Sequence, residues 1–134
     1  MDNRDIVNHL DREFAELINS LKELVRSVPS DNLLRSAAVI EQTFGGLTAN
    51  LWDDPFEWTL PETLSTPELI IEYLSEVDLA RQRAFNSIRD DSALSKYISV
   101  PGEPRLLISL LLETLVTASD FRGRAAATLK VLRQ

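Results

Sequence analysis

The chain has 134 residues, the usual size of one domain, and 44% of them are hydrophobic, mostly Leu, Ile, Val and Ala, with only 7% aromatic. Its net charge is −7, and its fourteen basic residues are scattered among twenty-one acidic ones. This argues against nucleic acid as a partner, because a duplex-binding surface clusters Lys and Arg to displace counterions from phosphates. With no cysteine, disulfides, thiolate metal sites and cysteine nucleophiles are excluded, and a cytoplasmic setting is permitted.

The opening Met1-Asp2-Asn3-Arg4-Asp5 has no basic patch leading into an apolar run, so no signal peptide is expected. A first helix is predicted from about Asp5 to Val28. Ile6, Leu10, Phe14, Leu17, Leu21, Leu24 and Val28 recur at steps of three and four to make one apolar stripe, and Pro29 stops it.

A second helix follows Ser30-Asp31, either of which can cap it, with Leu33, Leu34, Ala37, Ile40, Phe44, Leu47 and Leu51 as its stripe. Gly45-Gly46 inside it costs about 1 kcal/mol per glycine relative to alanine. Close packing against a neighbour is the favoured explanation, ahead of a bend or a pocket. From Asp53 to Leu64 a long loop is expected, with Trp52, Phe56 and Trp58 tucked against one end of the bundle.

The third helix opens at Ser65-Thr66-Pro67-Glu68, where Thr66 can cap with Pro67 in the first helical position, or Ser65 and Glu68 can form a capping box. Ile70, Leu74, Val77, Ala84, Phe85 and Ile88 are its expected inner face. A second loop, from Arg89 to Pro104, carries the turn signal Pro101-Gly102-Glu103-Pro104. The last helix is predicted from about Arg105 to Leu132. Its first half is apolar nearly all round, which suits a central helix or one shared with a partner chain. The most apolar run, Leu106 to Leu112, is seven residues long, against about 20 needed to cross a bilayer. The expected fold is therefore an all-α four-helix bundle in one domain, 1–134, with a long loop between helices two and three.

Two stretches carry a family resemblance. Glu57-Trp58-Thr59-Leu60-Pro61-Glu62-Thr63-Leu64, with Thr66-Pro67-Glu68-Leu69 and Tyr73-Leu74, is similar to the approach to helix three in DinB-like proteins. In the last helix, Asp120-Phe121-Arg122-Gly123-Arg124 with Leu129 and Leu132 resembles that family's His-His-Arg-Gly-Gln signature. The resemblance implies a four-helix bundle, often homodimeric. In many members a divalent metal is held by one histidine from helix two and a pair spaced by four from helix four, and some relatives use it to activate a low-molecular-weight thiol for transfer onto an electrophile.

Here the carry-over fails at every ligand. The helix-four pair maps onto Thr117 and Phe121, the neighbouring signature histidine onto Asp120, and the helix-two ligand near Glu41 or Gln42. An imidazole offers a nitrogen lone pair, whereas a threonine hydroxyl is a poor substitute and a phenyl ring is none. The chain's one histidine, His9, is expected on the exposed edge of helix one. A carboxylate site from Glu41, Glu113 and Asp120 would need the Glu-x-x-His motif of di-iron bundles, which is missing. Asp120 and Arg124 are spaced instead for an ordinary i,i+4 ion pair.

Glu41, Gln42, Thr117, Asp120 and Phe121 remain candidates for lining a pocket in place of the metal site, one that Phe121 itself is expected to fill. Arg122 falls on the angle of Leu111, Leu115 and Leu129, so its guanidinium should be paired, with Glu13, with Glu41 or across a dimer interface. The expectation is a metal-free, non-catalytic module with no cofactor. It would homodimerise through helix four or bind a small apolar ligand, and a transferase with an altered or oxygen-ligand metal site is the alternative.

Overall fold

The structure, a computed structural model, describes residues 3–27, 31–49, 66–98 and 102–132. Four long helices enclose one apolar core: α1 (Asp5–Leu24), α2 (Asp31–Ala49), α3 (Pro67–Ser87) and α4 (Leu107–Leu132). A short 3-10 helix (Asp91–Ser95) and a two-stranded ribbon, β1 (Tyr97–Ile98) and β2 (Arg105–Leu106), join α3 to α4. The expected all-α four-helix bundle is thus observed.

Helix directions follow from side-chain contacts. Arg4 reaches the backbone at Phe85 and Ile88, while Arg26 meets Glu68, so α1 and α3 run antiparallel. On α2 and α4 the facing pairs are Ser36 with Ala118 and Thr43 with Thr114, again antiparallel. Each of α1 and α2 packs against both α3 and α4, which leaves α1 diagonal to α2. The pattern is up-down-down-up. The end of α2 and the start of α3 therefore lie at opposite ends of the bundle.

The core is built from the predicted stripes with additions. Phe14, Phe44 and Phe85 form an aromatic centre, with ring centroids 4.9, 5.4 and 6.0 Å apart and the closest pair edge to face. Leu10, Leu17, Leu21, Leu33, Leu34, Ala37, Ile40, Ile70, Leu74, Val77, Ala84 and Ile88 are buried as expected, while Ile6 is exposed and Val7 and Ile18, outside the predicted stripe, are buried. Leu51 and the aromatics of the long loop lie outside the described residues. Gly46 is buried within α2, in keeping with close packing at that position.

Element ends differ from expectation in two places. The α1 helix stops at Leu24 rather than Val28. Its chain tightens into a three-residue turn in which the Ser27 N–H donates to the Leu24 carbonyl at 2.9 Å, in the approach to Pro29. The last helix starts at Leu107 rather than Arg105, because Arg105 and Leu106 pair with Ile98 and Tyr97 in the ribbon. Gly102, with φ +101°, supplies the left-handed residue in its turn. The α3 start is as predicted: Thr66 accepts from the Leu69 N–H at 3.2 Å, with Pro67 next to it.

Candidate functional site

The positions that the family's metal would require do not come together. Thr117 and Gln42 are exposed. Asp120 is also exposed and pairs with Arg124 at 3.0 Å, the predicted i,i+4 bridge. Arg124 in turn lies over the Phe121 ring, 5.4 Å from its centroid. Phe121 is half-buried at that shoulder of α4 and does not plug an internal cavity. The strip that carries Leu110, Thr114, Thr117 and Phe121 turns gradually out of the core, and only Leu110 and Thr114 on it are fully inside.

Glu41 points another way. Half-buried on α2, it accepts a hydrogen bond from the Tyr73 hydroxyl on α3. Burial raises the Glu41 pKa above its ordinary 4.5, the Tyr73 hydrogen bond opposes that shift, and the nearby Glu76 charge adds to it. Burial first, and then the adjacent carboxylate, push the Tyr73 phenol upward as well. His9 is exposed on α1, 3.8 Å from Glu13. Among the described residues, no three His, Asp or Glu side chains converge as metal ligands. A hydroxyl facing solvent, a phenyl ring under an arginine and a carboxyl held by a tyrosine do not fit a shared ion.

What occupies the α2–α4 seam is a pair of hydroxyl contacts. Thr43 and Thr114 share a hydrogen bond of 2.7 Å, and Ser36 donates to the Ala118 carbonyl at 2.7 Å, all in buried surroundings. Ser36 and Thr43 escaped the sequence reading, although each stands three residues beyond a stripe member, Leu33 and Ile40, on the same helical face.

The buried guanidinium is Arg81, not Arg122. Arg81 on α3 donates to Asp11 of α1 and, at 2.8 Å, to Asp78 one turn back, and is only 8% exposed. Its stripe position, four residues after Val77, was the available signal. Arg122 is half-buried and takes a hydroxyl rather than a carboxylate: its Nη1 donates to Ser20 Oγ at 3.1 Å.

Arg122 stands instead in a cleft of about 630 Å³ between α1 and α4. The α1 wall supplies Glu13, Glu16, Leu17 and Ser20, and the α4 wall supplies Leu115, Val116, Ser119 and Arg122. Val116 on the α4 wall is 68% exposed, and Leu112, one turn before it on α4, is 47% exposed. The cleft thus combines an apolar floor, two serine hydroxyls, one cation and two carboxylates.

No family model, curated protein or solved structure matches the chain. Among the described residues no helix is long and apolar enough to cross a membrane.

Proposed function

We propose that this chain is a DinB-like bundle that has lost the family's metal chemistry and acts as a non-catalytic binding module, with the α1–α4 cleft as its binding surface. Support for the architecture comes from the four long helices around one apolar core, as the resemblance implies. The observation that carries the functional reading is the placement of exposed Val116 in one cleft with Arg122, Glu13 and Glu16, one helical turn from exposed Leu112. Large apolar side chains in water mark a docking surface when they adjoin polar groups that can orient a partner. A cytoplasmic setting agrees with the absence of cysteine.

The test is nitrogen-15 amide mapping. Spectra are recorded on dilution from submillimolar to low micromolar protein, and on addition of anilinonaphthalene sulfonate, whose rings and anionic group match the apolar floor and Arg122. Shifts confined to 13–20 and 112–122 in either titration are expected. Shifts elsewhere, or none in both, overturn the reading.

A further inference from the structure

The geometry points to a zwitterion as the cleft's occupant: a free apolar dipeptide, its ammonium end held by Glu13 and Glu16 and its carboxylate end by Arg122. The inference rests on the cleft being the binding surface and names its ligand class.

Glu13, Glu16 and Ser20 follow one another on α1 at steps of three and four, and all three line the same cleft wall. The Arg122 guanidinium crosses from α4 and donates to Ser20 Oγ at 3.1 Å, which fixes the height of its positive charge on that wall. At 1.5 Å per residue, Ser20 stands about 6 Å beyond Glu16 and about 10 Å beyond Glu13. One cleft therefore carries a negative pole and a positive pole spaced along its length. Leu17, Leu115 and Val116 supply the apolar surface of the same cleft.

These opposite charges do not neutralise each other. Arg122, half-buried, and Glu16, exposed, make no ion pair among the described residues, and Glu13 is 3.8 Å from exposed His9. A simple anion would meet Glu13 and Glu16 as like charges, and a simple cation would meet Arg122. A ligand that brings both complementary charges satisfies the two poles at once, and the apolar walls strengthen each contact by excluding water. Separation selects the class. The ammonium and carboxyl of a free amino acid stand only about 2.5 Å apart, whereas an extended dipeptide sets them about 6–7 Å apart. The cleft's volume of about 630 Å³ falls among small-molecule sites of about 300–1,000 Å³ and leaves room for two apolar side chains. Ser20 and Ser119 add hydroxyls for the peptide unit.

The test is a nitrogen-15 amide titration with leucyl-leucine, its N-acetyl derivative and its C-terminal amide. Leucyl-leucine is expected to bind with Kd below about 1 mM and to shift amides at 13–20 and 115–122. Blocking either end should weaken binding about fivefold or more. Acetylation should lose the shifts at 13–16, and amidation those at 20 and 119–122. Arg122→Gln keeps a donor for Ser20 and should bind the amide as well as it binds the free dipeptide. Glu13→Gln/Glu16→Gln should likewise be indifferent to acetylation. These positions are exposed or half-buried, and unchanged helical circular dichroism confirms that the variants fold. A dipeptide that does not bind, or that binds equally well with either end blocked, overturns the inference. If anilinonaphthalene sulfonate still shifts the cleft amides in that case, the binding surface stands and only the ligand class is wrong. If neither the dye nor dilution shifts them, both readings fall.

Discussion

Thr43 and Thr114 join α2 to α4 through a single hydrogen bond of 2.7 Å between two buried hydroxyls. Each hydroxyl satisfies the other, so the pair is neutral to the core only while both are present. Thr43→Val or Thr114→Val alone leaves one hydroxyl without its buried partner and should cost about 1–2 kcal/mol. The double valine variant removes both groups at nearly constant volume and should recover most of that loss. Urea denaturation of the four proteins closes the cycle, and additive losses would show that the two hydroxyls act independently.

Arg81 is enclosed by carboxylates from two helices, Asp11 on α1 and Asp78 on its own turn of α3. Removing one member of a buried ion cluster strands the others, and that penalty exceeds the net worth of the pair. Arg81→Ala should therefore destabilise by about 3 kcal/mol. Asp11→Asn, whose carboxyl is about a third exposed and which leaves Asp78 in place, should cost about 1 kcal/mol or less. Thermal unfolding midpoints rank the two, and equal losses would contradict the account.

Helix number, stripe periodicity and the Thr66–Pro67 start were legible because 3.6-residue spacing and capping chemistry are local properties of sequence. Angular assignments at the stripe edges were not. Thr117 and Arg122 each lie within about 60° of fully buried neighbours, yet one faces water and the other a cleft. Which shoulder of a helix is covered depends on where its neighbours sit, and the diagonal placement of α1 and α2 is a long-range fact. Arg81 followed Val77 at core spacing, but its burial depended on Asp11, seventy residues away. The ribbon was missed because two-residue strands carry no period to detect.

Asp91 shows another contact that only the fold creates. The N-terminal turn of α1 has no side-chain cap of its own, and the Asp91 carboxylate accepts from the Ile6 N–H at 3.1 Å and the Val7 N–H at 2.9 Å. It therefore serves two of the amide groups that a helix start leaves unsatisfied and adds a negative charge at the positive end of the helix dipole. Asp91→Ala should cost about 1–2 kcal/mol, and Asp91→Asn about half of that, since the amide oxygen still accepts. Amide hydrogen exchange should quicken at Ile6 and Val7 before it does at the middle of α1. Uniform acceleration along the helix would mean that the effect is global rather than at the cap.

Glu41 gives the pH dependence a sign. Burial raises its folded-state pKa above the ordinary 4.5, so the folded chain holds that proton more tightly than the unfolded chain does. Stability from this group is fully present below 4.5 and is lost as pH rises through the raised value. At neutral pH the ionised, half-buried carboxyl is a net cost, only partly offset by the Tyr73 hydroxyl that donates to it. Glu41→Gln removes the charge and keeps an acceptor for Tyr73. It should be more stable than wild type at pH 7 by under about 1 kcal/mol, because the carboxyl is partly solvated. The difference should vanish near pH 4. Tyr73→Phe should do the opposite at pH 7, leaving the carboxylate without its donor and lowering stability by about 1–2 kcal/mol. Urea midpoints for the three proteins at both pH values decide the matter, and a wild type that gains on Glu41→Gln as pH rises would mean that the Tyr73 hydrogen bond outweighs the burial.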